Sequence, residues 1–298
     1  MKIRIAAVAC TVAAPDSFEA FAQRIRTLLR VPLENGAQVI VLPEALALEL
    51  VAMLPERERQ DPAAAFASLQ ELRPAWMQLF SAIAIEHGVT IVAGSFPVRT
   101  HVGRYGSRCD VFSPDGRHVF QDKLHLTVGE KALGVIEPGD ALKVFDIAGV
   151  SMAIALGHDC QFPLPVRAQC EAGARVLIVP ARVDRHVDAL RIRVGCMAWA
   201  LENRCHVVLS VAAAESALFN TEAAVLAPTG DGFSCTGVLV STSDGGDWTI
   251  ADLDIAVDGR SVEQRRARYG PQGQRSQCGA DDRSRQHVAR VVQAEHHA

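Results

Sequence analysis

Val150-Ser151-Met152-Ala153-Ile154-Ala155-Leu156-Gly157-His158-Asp159-Cys160-Gln161-Phe162-Pro163 is the stretch on which the fold turns. An apolar run of strand length, Val150 to Leu156, stops at Gly157. Pro163 then opens a helix reaching about Ala172, and Val176 to Val179 reads as a second buried strand. Strand, sharp turn, helix and strand in immediate succession form a crossover unit of α/β architecture. Such a turn is also where α/β hydrolytic enzymes expose a nucleophile.

The alternation continues on both sides. Upstream, Ile3 to Ala9 reads as a strand, Asp16 as the cap of a helix running to about Glu34, Asn35-Gly36 as its stop, and Val39 to Leu42 as a buried strand. A helical stretch broken near Pro55 and Pro62 ends at His87-Gly88, and Val89 to Gly94 follows as a strand. Arg108 to Phe112 and Arg117 to Asp122 flank the turn Ser113-Pro114-Asp115-Gly116, and Leu142 to Asp146 precedes Gly149. Downstream, a helix is expected from about Asp188 to Arg204, with strands at Val207 to Val211, Ala223 to Leu226, Val238 to Val240 and Trp248 to Ile255. No linker interrupts this order, so residues 1–262 read as one α/β domain. Residues 263–298, rich in Arg, Gln, Gly and Ser, read as a flexible or partner-dependent tail.

Composition narrows the function classes. The 298 residues are 49% hydrophobic and 21% charged, which supports a large core and excludes disorder over most of the chain. Thirty basic against 34 acidic side chains give a formal charge of -4, leaving no basic field for nucleic acid or an anionic membrane. The eight cysteines show neither a C-x-x-C pair nor zinc-site spacing with histidine, so no metal is expected. The apolar run Ile5 to Cys10 is too short for a signal-peptide core, and no segment approaches about 18 uninterrupted apolar residues. The expectation is a cytoplasmic protein with reduced thiols.

Three strand ends carry candidate chemistry. Glu44, in Val41-Leu42-Pro43-Glu44, would emerge at the carboxyl end of a buried strand, where open α/β sheets bind ligands; a glutamate at a helix start is the competing reading. Lys123, in Gln121-Asp122-Lys123-Leu124-His125-Leu126-Thr127, is one of only four lysines and could stabilise an oxyanion or stand in solvent. Glu130 could orient it, and His125 reads as a packing histidine. Cys160 is the only thiol near the strand-to-helix turn; inert packing is the alternative. Arg182, Arg185, Arg191 and Arg193 are numerous enough to suggest a carboxylate-bearing substrate, but an arginine-rich solvated helix is the preferred reading.

Taken together, Val41 to Glu44, Asp122 to Thr127 and Gly157 to Pro163 resemble the nitrilase, or carbon-nitrogen hydrolase, superfamily. Glu137-Pro138-Gly139-Asp140 leading to Val144-Phe145-Asp146, and Ala200 to Val208, resemble further segments of it, so the likeness spans roughly residues 3 to 255. The resemblance implies an αββα sandwich, usually paired through helices into a homodimer or higher homo-oligomer. It implies hydrolysis of a small amide or nitrile without a cofactor, by a cysteine nucleophile, a glutamate base and an oxyanion-stabilising lysine. Carried over, Glu44 is the base, Lys123 the oxyanion lysine and Glu130 the second glutamate. Asp159, Phe162 and Pro163 then register with the family pattern and place Gly157 where the nucleophile stands, with Leu164 in place of a usual acidic residue. Three readings follow: a hydrolase using Cys160 as a displaced nucleophile, a thiol-independent enzyme with water near Glu44, and a non-catalytic homologue that binds a small ligand or partner.

Overall fold

The computed structural model describes residues 1–213, 221–229 and 235–255. In chain order these form β1 (Lys2–Thr11), α1 (Phe18–Glu34), β2 (Val39–Val41), a 3-10 segment (Leu46–Met53), α2 (Glu56–Arg59), α3 (Pro62–His87), β3 (Thr90–His101), β4 (Arg104–Phe112) and β5 (His118–Asp122). After α4 (Val128–Ala132) come β6 (Val144–Ile147), β7 (Val150–Ile154), a 3-10 turn (Gly157–Gln161), α5 (Pro163–Glu171), β8 (Val176–Val183), α6 (His186–Asn203) and β9 (His206–Ala213). The last strands are β10 (Ala224–Leu226), β11 (Val238–Ser241) and β12 (Trp248–Asp254).

The strands run β5-β4-β3-β2-β1-β9-β8-β7-β6, with β12 antiparallel on β1 and β10 between β9 and β11. β1 is the seam. Its residues Ile5 to Ala7 pair in parallel with β2, and its end, Ala9 to Thr11, pairs in parallel with β9. The two halves therefore stack face to face, and the architecture is an αββα sandwich. Between the sheets lie Ile3, Ile5, Ala7, Val41, Phe145, Met152 and Ile178. α1 and α3 cover one outer face with Phe21, Ile25, Trp76 and Phe80, and α5 and α6 cover the other with Val166, Cys196 and Trp199. Because both faces of β1 are buried, its apolar residues run without the alternation of a half-exposed strand.

Several boundaries differ from the sequence reading. α1 is capped by Ser17, whose Oγ accepts the Ala20 N–H at 3.2 Å, while Asp16 accepts the Ser17 hydroxyl. The cap falls to Ser17 because its side chain, not that of Asp16, reaches the N–H of the third helical residue. The strand expected to end at Gly94 continues to His101: Gly94, at φ +72°, makes an irregularity in the β3–β4 register rather than a stop. α6 begins at His186, before the expected Asp188, and Arg204 is its left-handed C-cap at φ 50°. The expected tail, 263–298, and the boundary after residue 262 lie outside the described residues. Among the described residues, no helix is long and apolar enough to cross a membrane.

Candidate active site

The strand ends converge on one buried charge cluster. Pro43-Glu44 follows β2, and the chain turns sharply at Ala45, which takes a left-handed φ of 59° before the 3-10 segment starts. A non-glycine residue there is strained, and the strain is held by the Ala45 N–H donating to Ser95 Oγ at 2.9 Å. Gly94 lets the loop pass: a β-carbon on it would collide with the Pro43 carbonyl oxygen. Glu44 is therefore a loop carboxylate directed inward, not the first residue of an α-helix.

Lys123 follows β5 directly and is anchored by its N–H to the Ser107 carbonyl at 2.8 Å. Its Nζ donates to Glu44 Oε1 and to Glu130 Oε1, both at 2.7 Å. Lys123 is only 2% exposed and Glu44 5%. Glu130 does two jobs, because its Oε2 accepts the Thr127 N–H while its own N–H donates to Thr127 Oγ1, closing a capping box at the start of α4. The structure thus brings Glu44, Lys123 and Glu130 together.

Two carboxylates share one ammonium. Burial alone would lower the Lys123 pKa, but the two glutamates outweigh it and raise it, so the lysine stays charged. Glu130 is held below its usual range: burial works against this, and Lys123 and Thr127 overcome it. Glu44 moves the other way. Its burial outweighs Lys123, and with Glu130 charged nearby it is the carboxylate that more readily holds a proton.

Gly157 sits against this cluster at φ +41°, at the start of its 3-10 turn. A β-carbon on it would lie well inside van der Waals contact distance of Glu44 Oε2 and 3.1 Å from Glu44 Cδ. Glu44 Oε2 occupies the place a side chain would take, and it also accepts the Arg182 N–H from β8 at 3.3 Å.

Cys160 is placed elsewhere. It is fully buried in the cluster under α5 and α6, with Cys196 in the same cluster; Cys196 and burial hold its thiol pKa well above the usual range. A 3-10 turn rises about 2.0 Å per residue, so three residues carry Cys160 about 6 Å beyond Gly157. The structure does not bring the Cys160 thiol into the Glu44–Lys123 hydrogen-bond network.

Asp159 is the residue that the sequence reading left without a role. Its carboxylate accepts the N–H groups of Leu124 and His125, and the His125 ring Nδ1 lies 3.0 Å from it. His125 in turn stacks on Phe162, centroids 3.9 Å apart. Asp159 and Phe162 thereby lock the loop carrying Lys123 onto the Gly157 turn. The signal was present in the Asp159 and Phe162 spacing, but register alone does not say which backbone a carboxylate reaches. Among the described residues, no group of histidine, cysteine and carboxylate side chains could hold a metal ion.

Comparison with known proteins places this geometry in a lineage. The chain is 30% identical over 194 residues to the protein of Bacillus subtilis (strain 168) named "Probable hydrolase YhcX", an alignment covering 65% of this chain and 37% of that relative's length. It is 26% identical over 198 residues to a deaminated glutathione amidase of Synechocystis, covering 62% of this chain and 69% of the amidase. The structure of Nit3 from Saccharomyces cerevisiae, a member of branch 10 of the nitrilase superfamily, superposes with a TM-score of 0.70 at 20% identity, covering 92% of this chain and 96% of Nit3, and shows the shared fold. Residues 4–244 match the family described as carbon-nitrogen hydrolase, and the chain belongs to that family.

Proposed function

We propose that this protein binds a small amide at the Glu44–Lys123–Glu130 cluster and does not run a cysteine-based hydrolytic cycle. One observation carries the reading: Glu44 Oε2 stands where a side chain at position 157 would be, so no thiol can occupy that place while Glu44 keeps this position. The Cys160 thiol, buried with Cys196 in the helix-side core, supports the same conclusion. The amide class is suggested by relatives named as amidases. In this reading the Lys123 ammonium donates to the amide oxygen and Glu44 accepts from the amide N–H, the same polarity that would stabilise a tetrahedral intermediate.

The test is ammonia release from a panel of small amides and nitriles by the native protein and by Glu44→Gln and Cys160→Ala variants, with ligand-induced thermal shifts measured in parallel. The expected result is no turnover, with amide-induced stabilisation that Glu44→Gln weakens. Glu44-dependent turnover abolished by Cys160→Ala would overturn the reading. A second reading, direct attack by water, is favoured by the raised pKa of Glu44 beside a permanently charged Lys123, which suits proton uptake by that carboxylate. Its signature is turnover that Glu44→Gln removes and Cys160→Ala leaves intact.

A further inference from the structure

A cavity of about 180 Å³ lies at the start of α6, and none of Glu44, Lys123 and Glu130 lines it. Val183, Ile192, Leu209 and Val211 line it, and all four belong to the apolar layer between the sheet and the helices α5 and α6. Its polar lining includes Arg193 and Glu222. These two form an ion pair, Arg193 Nη1 to Glu222 Oε2 at 2.9 Å, and Ser241 Oγ donates to the same Oε2 at 2.8 Å. Glu222 Oε1 and the Nε and Nη2 of Arg193 carry no hydrogen bond among the described residues. An anionic and a cationic group thus meet beside one apolar wall, each with hydrogen-bonding capacity unused among the described residues.

We propose that this cavity binds a small apolar α-amino acid as its zwitterion. The ligand carboxylate takes the remaining guanidinium edge of Arg193, the ammonium donates to Glu222 Oε1, and the side chain lies on Val183, Ile192, Leu209 and Val211. Each part of this chemistry is needed. A carboxylate without an amine sets alkyl carbon against an open carboxylate oxygen, and an amine without a carboxylate does the same to the guanidinium. A polar side chain would meet an apolar wall with no partner for its donors. The volume agrees, being below the roughly 300–1,000 Å³ of sites for drug-sized molecules. This site is independent of the amide reading, since none of its lining residues belongs to the Glu44 cluster.

The experiment is calorimetric titration of the full chain with L-leucine, 4-methylpentanoate and 3-methylbutylamine. Saturable leucine binding is expected, with each analogue weaker by about tenfold or more, the loss expected for one charge-assisted contact. Arg193→Met and Glu222→Gln each weaken leucine by a similar factor. Ala189→Leu, which leaves the ion pair intact and fills the cavity from its α6 wall, abolishes binding and decides the matter should either charge variant fail to fold. Glu44→Gln leaves leucine affinity unchanged, which separates this site from the amide site. No leucine heat at concentrations on the order of 10 mM, equal binding of either analogue, or unchanged affinity in Ala189→Leu would overturn the proposal.

Discussion

Adding one methyl group at position 157 tests the contact on which the site reading depends. Gly157→Ala has two costs. The φ of +41° is left-handed, which costs a residue with a β-carbon about 1–2 kcal/mol. The new carbon also overlaps Glu44 Oε2, so Glu44 must turn away. If its Oε1 keeps Lys123 while turning, the half-buried Arg182 N–H loses its acceptor, which adds about 1 kcal/mol. If the buried pair breaks, a further 3–5 kcal/mol or so is lost. The expected destabilisation is therefore at least about 2–3 kcal/mol and rises to about 4–7 kcal/mol when the pair is sacrificed. The assay is urea unfolding arranged as a double-mutant cycle with Glu44→Ala, which removes the obstructing oxygens. Gly157→Ala should cost only the backbone portion in the Glu44→Ala background, so the cycle should show a coupling of about 1 kcal/mol or more. A coupling near zero, or a cost below about 0.5 kcal/mol in the otherwise native chain, would refute the claim that Glu44 occupies the side-chain space of residue 157.

Other perturbations are expected to act as follows. Lys123→Met leaves two carboxylates facing each other and should destabilise by about 3–5 kcal/mol in chemical unfolding, with partial recovery on adding Glu44→Gln; equal stability of single and double variants would contradict the shared-ammonium picture. Gly157→Cys puts a thiol beside the Glu44 carboxylate and should gain rapid alkylation by iodoacetamide at that residue, read by peptide mass spectrometry; a folded but unreactive variant would count against the site's competence. Burial and Arg175 lower the pKa of His206 from 6.5 to about 4, so the unfolded chain takes up this proton first as pH falls. Stability present above about pH 6.5 is then lost between 6.5 and 4, by up to about 3 kcal/mol, and His206→Gln should flatten that slope in unfolding measurements. Val187, Leu190, Val194, Met197 and Leu201 form an apolar row along α6, each 39–56% exposed. Sedimentation velocity should show a homodimer that Val194→Asp weakens, and a native monomer at micromolar concentration would refute that assignment.

Much of the α/β order could be read from apolar runs because strands buried on both faces leave long uninterrupted signals, as in Val39 to Val41 and Val176 to Val179. Their ends were harder to read. Gly94 looks like a stop but serves close passage of Pro43, a tertiary reason that local pattern cannot hold. Glu44, Lys123 and Glu130 stood out as a set only through resemblance, since each alone reads equally well as a surface charge. The orientation of Cys160 was not legible, because a 3-10 turn and an α-helical turn diverge within three residues and its neighbours in the core, Cys196 and Trp199 of α6, lie 36 and 39 positions away. Asp159 illustrates the same limit: its partners, Leu124 and His125, lie 35 and 34 residues upstream.

The position of β1 has a consequence for how the chain is made. Lys2 to Val8 pair with Asp254 to Trp248, so β1 is flanked by a strand synthesised some 240 residues later. The Lys2–Val8 segment of β1 keeps one edge unpaired until β12 has been synthesised, and during elongation it is an open template for wrong partners. Closing so long a loop is slow, which makes the final β1–β12 pairing a late event in folding. Emergence of β12, rather than of either half, is then the step on which resistance to proteases should depend, and ribosome-bound chains arrested before Trp248 should remain cleavable.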